Sequence, residues 1–205
     1  MKRSIPALVL AACLLALMVA TPAQAAAVPP TNPKNLVEDV TERTDALGLA
    51  EAVYVIHGKV NTAKCLDIEH QSTATRAPLT HWDCNNAANQ EFRLKPFSAG
   101  GYNTYMIENV NSGKCLGVRV RDFFEPYPNQ DRIEQDWCDP RWAARHWIPI
   151  VNGDDGSYTF CNLVHEITQE RRCMDIPYST TDNTKTVWVV DLNGGAAQRF
   201  FTQQK

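Results

Sequence analysis

The chain has 205 residues, a formal net charge of −3 and a sequence pI of about 5.9. This acidic balance argues against a protein that binds nucleic acid, because phosphate-backbone binding needs a basic face. It argues equally against an electrostatic anchor on an anionic membrane surface.

The first 25 residues have the pattern of a secretory signal peptide. They start with Lys2 and Arg3, continue with an apolar run over residues 5–20, and end on Ala-Gln-Ala, a small-x-small cleavage site. The apolar run is short for a membrane span, so we expect a secreted, extracellular protein with no membrane insertion. A lipoprotein cleavage box ending at Cys13 is the rival hypothesis, but the apolar run continues past that cysteine.

Residues 26–50 are predicted to be a linker. Three prolines, Pro29, Pro30 and Pro33, give its first part an extended composition. Apolar residues fall roughly on one side of residues 35–49, so a short helix is one hypothesis for this segment and a disordered spacer is the other.

Six cysteines remain after the signal peptide. An even number in an exported protein indicates a disulfide framework, and six cysteines allow 15 pairings. Spacing alone does not decide among those pairings. The cysteines are Cys65, Cys84, Cys115, Cys138, Cys161 and Cys173.

From Glu51 onward the chain repeats itself three times. One unit has the form basic-Cys-apolar-x-β-branched and starts at Lys64, Lys114 and Arg172. A second unit closes each copy, reads Gln-Glu-Phe, Arg-His-Trp and Gln-Arg-Phe, and ends at Phe92, Trp147 and Phe200. Two separate units in the same order in all three copies indicate a repeat architecture.

Each copy is predicted to consist of short strands joined by turns. The copies open on β-branched and aromatic segments at residues 53–56, 105–107 and 158–160. Glycine-rich turns at residues 100–103 and 152–156 separate them. No long helical pattern interrupts the region, so residues 51–205 are predicted to form one closed all-β domain.

The repeated units resemble those of the ricin B-chain-type lectins, the Gln-x-Trp family. The resemblance implies a β-trefoil, in which a six-stranded barrel is capped by three hairpins with pseudo-three-fold symmetry. It also implies that the closing aromatics Phe92, Trp147 and Phe200 belong to the core.

The same resemblance implies one disulfide inside each lobe. Cys65 with Cys84 and Cys115 with Cys138 fit that placement. The third lobe departs from the family pattern, because Leu192 stands where Cys84 stands in the first. Cys161 is the remaining partner for Cys173.

Sugar sites of this family combine an aromatic face, a carboxylate and amide side chains, and charged acceptors make the stronger hydrogen bonds. The resemblance places Asp67, Trp82 and Asn89 at these positions of the first lobe, with Gln90 beside them and Thr80 in place of the usual amide. The alternative is that Asp67 and Asn89 only fix a hairpin while Trp82 lies flat on the surface.

The second lobe is predicted to be structural. Gly117 replaces the aspartate, and Asp136 replaces the stacking aromatic, with Trp137 displaced by one residue. Ala144 and Arg145 replace the Asn-Gln pair.

The third lobe keeps only part of the pattern. Asp175 remains, while Val190 replaces the stacking aromatic and Ala197 replaces the asparagine. Trp188 is expected on the same strand face as Val190, so Asp175 and Trp188 form a secondary candidate sugar site. A core or hairpin-packing role for Trp188 is the alternative.

An aromatic, proline-containing insert spans residues 119–132. It is either a contact surface or a flap over the barrel.

The leading hypothesis is a monomeric, secreted lectin with one sugar site, in the first lobe. No catalytic, metal-binding or cofactor-binding residues are predicted, because the histidines lack metal-ligand spacing and no catalytic motif is present. The alternative is a protein-interaction or delivery trefoil that partners another secreted protein, such as a toxin. The two altered lobes and the insert favour this alternative, while Asp67, Trp82 and Asn89 favour the lectin.

Overall fold

The computed structural model describes residues 40–42, 49, 51–119, 130–183 and 185–205. The signal peptide with Cys13, most of the linker, and residues 120–129 of the insert lie outside these ranges.

Each lobe contributes four strands. The first lobe has β2 (Ala52–Gly58), β3 (Asn61–Ile68), β4 (Leu79–Asp83) and β5 (Glu91–Ala99). The second has β6 (Tyr102–Asn109), β7 (Cys115–Val118), β8 (Asp131–Asp136) and β9 (His146–Val151). The third has β10 (Tyr158–Asn162), β11 (Arg172–Asp175), β13 (Trp188–Asp191) and β14 (Phe200–Gln204). Two further short strands are β1 (Val40–Glu42) and β12 (Lys185–Thr186).

Six of these strands close into a ring. Strand β2 pairs with β5, β5 with β6, β6 with β9, β9 with β10, β10 with β14, and β14 returns to β2, all antiparallel. The hairpins β3–β4, β7–β8 and β11–β13 cap this barrel. The predicted β-trefoil is therefore confirmed.

The closing aromatics lie in the core, as predicted. Phe92, Trp147 and Phe200 are fully buried, and Trp147 Nε1 donates a hydrogen bond of 3.0 Å to the carbonyl oxygen of Leu116. Each of the three stands just after a 3₁₀ turn that leads from a capping hairpin back to the barrel. These turns are Ala88–Gln90, Ala143–Arg145 and Ala196–Gln198.

The three predicted disulfides are also confirmed. Cys65 is bonded to Cys84, Cys115 to Cys138, and Cys161 to Cys173. The third bridge joins neighbouring strands, because Cys161 of β10 is the register partner of Cys173 of β11.

Two local features differ from the sequence prediction. Val40–Glu42 forms a strand paired with residues 97–99 of β5, where a helix was one hypothesis for the linker. A one-turn α-helix, α1 (Leu163–Ile167), follows β10, and the Asn162 side chain caps it by accepting from the Val164 amide. No helix in the described ranges is long and apolar enough to cross a membrane.

Candidate functional site

The β3–β4 hairpin brings three of the five predicted first-lobe residues together. Asp67 on β3 is the register partner of Thr80 on β4, and Cys65 is the partner of Trp82. Successive side chains of a strand alternate between faces, so Thr80 and Trp82 share the face of Asp67. Asn89 and Gln90 come from the 3₁₀ turn Ala88–Gln90, so all five predicted residues meet at one place.

Two amide side chains hold the Asp67 carboxylate. Asn89 Nδ2 and Gln90 Nε2 both donate to Asp67 Oδ2, at 2.9 Å and 2.8 Å. The same two nitrogens also donate to the carbonyl oxygens of Ile68 and Asp83. Because both amides use Oδ2, neither of them occupies the other carboxylate oxygen, Oδ1.

Asn89 supplies a second acceptor. Its Oδ1 atom is buried and has no hydrogen-bond partner in the described part of the chain. An unsatisfied buried acceptor is unfavourable, so this atom favours a bound molecule that can donate a hydrogen bond. The Thr80 hydroxyl is already used, since it donates to the carbonyl oxygen of Asp67 at 3.1 Å.

These groups face an open cavity of about 280 Å³. Asp67, Thr80, Trp82 and Asn89 line it, whereas Gln90 supports Asp67 without lining the cavity. The indole of Trp82 is half-buried and gives the cavity an apolar wall. A polar floor beside an aromatic wall suits a small ligand that has hydroxyl groups on one edge and an apolar face.

Four further lining residues were not predicted from the sequence. They are Glu69, His70, Gln71 and Asn85. The first three form the turn after β3, in which His70 adopts a left-handed φ of 55° and exposes 85% of its side chain. The Asn85 amide donates to Gln90 Oε1 at 2.8 Å. No repeated motif marks these positions, because they lie on loops between the motif residues.

Burial controls the charge of Asp67. Desolvation raises its pKa above the ordinary value of 3.8, while the hydrogen bonds from Gln90 and Asn89 act in the opposite direction. Proton uptake at Asp67 therefore begins at a higher pH than in an exposed aspartate.

In the second lobe the side chain of Arg145 fills the position that corresponds to the first-lobe cavity. Gly117 stands where Asp67 stands, and a Cβ atom there would collide with Arg145 Nη1 and with the carbonyl oxygen of Ala144. Arg145 Nη2 is 3.0 Å from Asp136 Oδ2, and Nη1 donates to the carbonyl oxygen of Val118. This lobe has an ion pair where the first has an aspartate and a tryptophan.

Trp137 is 70% exposed and lies outside that ion pair, with Lys114 Nζ 4.6 Å from its ring centroid.

In the third lobe the two candidate residues contact one another. Trp188 Nε1 donates to Asp175 Oδ1 at 3.3 Å, so the indole occupies the carboxylate oxygen that the two amides do not use in the first lobe. Tyr178 packs edge-on against Trp188, with ring centroids 5.6 Å apart, and is 85% exposed. Tyr178 stands at the position of His70 and has the same left-handed backbone, with φ of 56°.

Among the residues that the structure describes, two groups have metal-ligand atoms within 4.8 Å of one another. They are His57 with Cys65 and Cys84, and Glu108 with Cys115 and Cys138. All four cysteines are disulfide-bonded, so neither group offers the thiolates that would bind a metal.

A family model described as ricin-type β-trefoil lectin domain-like matches residues 48–123. No curated protein matches the chain in sequence.

Several solved structures share the fold. A designed three-fold symmetric protein, ThreeFoil, is 20% identical with a TM-score of 0.62, over 75% of this chain and 99% of the designed one. The C-half of an earthworm R-type lectin, in complex with GalNAc, is 21% identical with a TM-score of 0.53, over 75% and 99% of the two chains. A mosquitocidal holotoxin is 18% identical with a TM-score of 0.63, over 77% of this chain but 18% of the toxin. At these identities the likeness shows the fold alone.

Proposed function

We propose that this chain, in which residues 48–123 match a ricin-type β-trefoil lectin family model, is a secreted carbohydrate-binding protein with its complete sugar site in the first lobe. The observation that carries the proposal is the Asp67 carboxylate, held on Oδ2 by Asn89 and Gln90 beside the indole of Trp82. Three disulfides support export, since such bonds persist in oxidising compartments.

Each side chain has one task in this proposal. The apolar face of a sugar ring packs on Trp82, and neighbouring hydroxyl groups donate to Asp67 Oδ1 and Asn89 Oδ1. Gln90 keeps the carboxylate in place. The protein binds its ligand without converting it, and no cofactor or metal takes part.

The other two lobes serve mainly to complete the barrel. Arg145 and Asp136 fill the second lobe with an ion pair. The third lobe is the secondary candidate, but a sugar there would have to displace the Trp188 indole from Asp175 Oδ1 or stack on the exposed Tyr178.

A delivery or partner trefoil is the second candidate function. The altered second and third lobes favour it, as does the exposed indole of Trp137. A holotoxin with a domain of this fold provides a parallel.

A glycan array tests the proposal. The secreted, disulfide-intact protein is compared with Trp82→Ala and with Asp136→Ala as the matched control in the second lobe. We expect glycan signals that disappear with Trp82→Ala and remain with Asp136→Ala. Equal glycan signals from all three proteins would contradict the first-lobe site, and nanomolar binding to a protein without any glycan signal would favour the partner function.

A further inference from the structure

The three lobes differ at one position beside their disulfides. On the first strand of each lobe, a residue pairs in register with the first cysteine of the repeat. The pairs are His57 with Cys65, Glu108 with Cys115, and Cys161 with Cys173. The residue at this position is therefore a histidine in the first lobe and a glutamate in the second. In the third lobe it is Cys161, which is itself part of the disulfide.

In the first lobe an imidazole nitrogen lies beside both sulfurs. His57 Nδ1 lies 3.7 Å from Cys65 Sγ and 3.6 Å from Cys84 Sγ. The same nitrogen lies 2.9 Å from the carbonyl oxygen of Thr62, which only accepts hydrogen bonds, so we assign the Nδ1–H tautomer, whose one hydrogen is shared between that carbonyl and the nearby sulfurs. A disulfide sulfur is a weak acceptor, but a thiolate formed at this place would be a strong one.

In the second lobe the neighbour is an acceptor. The Glu108 carboxylate lies within 4.8 Å of the sulfurs of Cys115 and Cys138. Arg93 and Lys95 donate to its oxygens and balance its charge. A thiolate that formed here would face a carboxylate.

The solvent exposure of the cysteines decreases from the first bridge to the third. Cys84 is exposed and Cys138 is half-buried, whereas Cys161 and Cys173 are both buried. An external thiol can therefore reach a sulfur of the first bridge most easily and a sulfur of the third bridge least easily.

We propose that the Cys65–Cys84 disulfide is the site at which this chain undergoes thiol–disulfide exchange, and that its reduction switches off the first-lobe sugar site. The second half of this statement rests on the proposed function. The reductant is a small thiol. Reduction by such thiols is a two-electron process that proceeds through a mixed disulfide.

The exchange takes place in two steps. A thiolate of the reductant attacks exposed Cys84 Sγ, and the electron pair of the broken S–S bond leaves on Cys65 Sγ, where His57 Nδ1–H stabilises it. A second thiolate attacks the reductant sulfur of the mixed disulfide and releases Cys84 as a thiolate. The two reductant thiols become a disulfide, and the protein takes up two electrons and, on protonation, two protons.

The bridge and the sugar site share one hairpin. Cys65 lies two residues before Asp67 on β3 and is the register partner of Trp82 on β4, and Cys84 follows Trp82 by two residues. Opening the bridge removes the covalent tie that keeps these two strands in register at the aromatic wall of the cavity.

Timed reduction tests the proposal. The native protein is treated with dithiothreitol, free thiols are trapped by alkylation, and each cysteine is quantified by peptide mapping. We expect the first bridge to open at least about tenfold faster than the second, because a hydrogen bond to a charged group is worth about that factor. The third bridge should open last.

Two variants isolate the role of the neighbour. His57→Ala should slow opening of the first bridge about tenfold, and Glu108→His should speed opening of the second by a similar factor. Neither residue lines the cavity, so sugar binding by the oxidised proteins should be unchanged. Equal opening rates for the first two bridges, or a His57→Ala rate equal to that of the native protein, would overturn the exchange site.

Sugar binding provides the second readout. Protein alkylated only at Cys65 and Cys84 should lose most of its affinity for the glycan that the oxidised protein binds. Full retention of affinity would overturn the switch. If the oxidised protein binds no glycan, the proposed function fails, whereas the order of bridge opening still decides the exchange site independently.

Discussion

Trp82 is the side chain whose removal should test the proposed sugar binding without disturbing the fold. It is half-buried on a capping hairpin, outside the barrel, so Trp82→Ala should leave the fold intact. We expect at least a tenfold loss of glycan affinity, equivalent to about 1.4 kcal/mol. Titration calorimetry measures this loss, and Val190→Ala, at the equivalent position of the third lobe, is the control that should bind like the native protein.

Sugar binding should weaken at acidic pH because Asp67 becomes protonated. Burial raises its pKa, and only the ionised carboxylate accepts hydrogen bonds through both oxygens. Affinity should therefore fall on acidification, starting above the pH at which an exposed aspartate titrates. Calorimetry between pH 7 and pH 4, with circular dichroism to verify folding, measures the profile. Asp67→Asn should bind weakly at every pH, and a native profile as flat as that of the variant would refute the role of the carboxylate.

The sequence predicted the site residues that occupy positions of the family pattern and missed those that lie on loops. The resemblance to the lectin family assigned Asp67, Trp82 and Asn89 to the sugar-site positions of the first lobe, and the structure brings these three residues together. Asn85 and His70 line the same cavity from loops. Their positions depend on backbone conformations, such as the left-handed φ of His70, that no residue pattern specified.

At the scale of elements, the third lobe supports the site in the first. Strand β12 (Lys185–Thr186) pairs with β4, with Thr186 opposite Thr80. Asn183 accepts from Lys64 Nζ at 2.7 Å and from the Asp83 amide at 3.0 Å, and its Nδ2 donates to Asp83 Oδ2 at 2.8 Å. The far edge of β4 is thereby held by a loop that lies a hundred residues further along the chain.

Asn183→Ala removes this support. We expect a loss of about 1–2 kcal/mol in the free energy of unfolding, from hydrogen bonds to charged and main-chain groups that are partly open to water. Glycan affinity should fall severalfold, because β4 carries Trp82 and Thr80. Thermal unfolding and calorimetry measure the two effects, with the exposed neighbour Asp182→Ala as control. Unchanged glycan affinity in a destabilised variant would show that the support matters for folding alone.

The hydrogen bonds and strand pairing between lobes could not be predicted from the sequence, for a physical reason. The repeat predicted the hairpins, and contacts between hairpins arise only once the barrel has closed. The strand β1 and the helix α1 also escaped prediction. Strand β1 is three residues long, and α1 is a single turn whose Asn162 cap lies inside a strand pattern.

At the scale of the whole molecule, buried histidines should make the fold sensitive to acid. His81 is fully buried, and desolvation lowers its pKa from 6.5 to about 4. Desolvation likewise lowers the pKa of His165 to about 3 and depresses that of His146. From about pH 7.5 upward these groups are neutral in both states, because a histidine of the unfolded chain titrates near 6.5. Below this range the unfolded chain binds protons that the folded chain excludes, so stability falls as the pH approaches 4.

His81→Leu isolates one of these groups. Neither ring nitrogen of His81 has a hydrogen-bond partner in the described residues, so an apolar side chain of similar size should be tolerated at pH 7. The loss of stability between pH 6.5 and pH 4 should shrink by about 3 kcal/mol. Chemical denaturation at a series of pH values measures it. Exposed His70→Ala is the control, and an unaltered pH dependence in His81→Leu would argue against this source of acid sensitivity.

The proposed single sugar site predicts weak binding. A single shallow site supports about 4 to 5 kcal/mol, or a dissociation constant between about a millimolar and tenths of a millimolar. A monosaccharide and a repetitive polysaccharide should therefore bind with similar affinity per site, without the gain that several sites would give. Calorimetry against both ligands gives the stoichiometry, and two or three sugars per chain would mean that Asp175 with Trp188, or the second lobe, also binds.

The ring of strands also determines when the protein can complete its fold during synthesis. Its last seam joins Phe200–Gln204 to Ala52–Gly58, near opposite ends of the polypeptide. While the ribosome is still adding residues before Phe200, strand β14 does not yet exist. The edge of β2 that pairs with β14 in the finished barrel is therefore unpaired. The barrel therefore closes only after translation has passed residue 204. If the chain is exported, it can therefore cross the membrane before the barrel has closed. The three disulfides would then form in the oxidising compartment beyond that membrane.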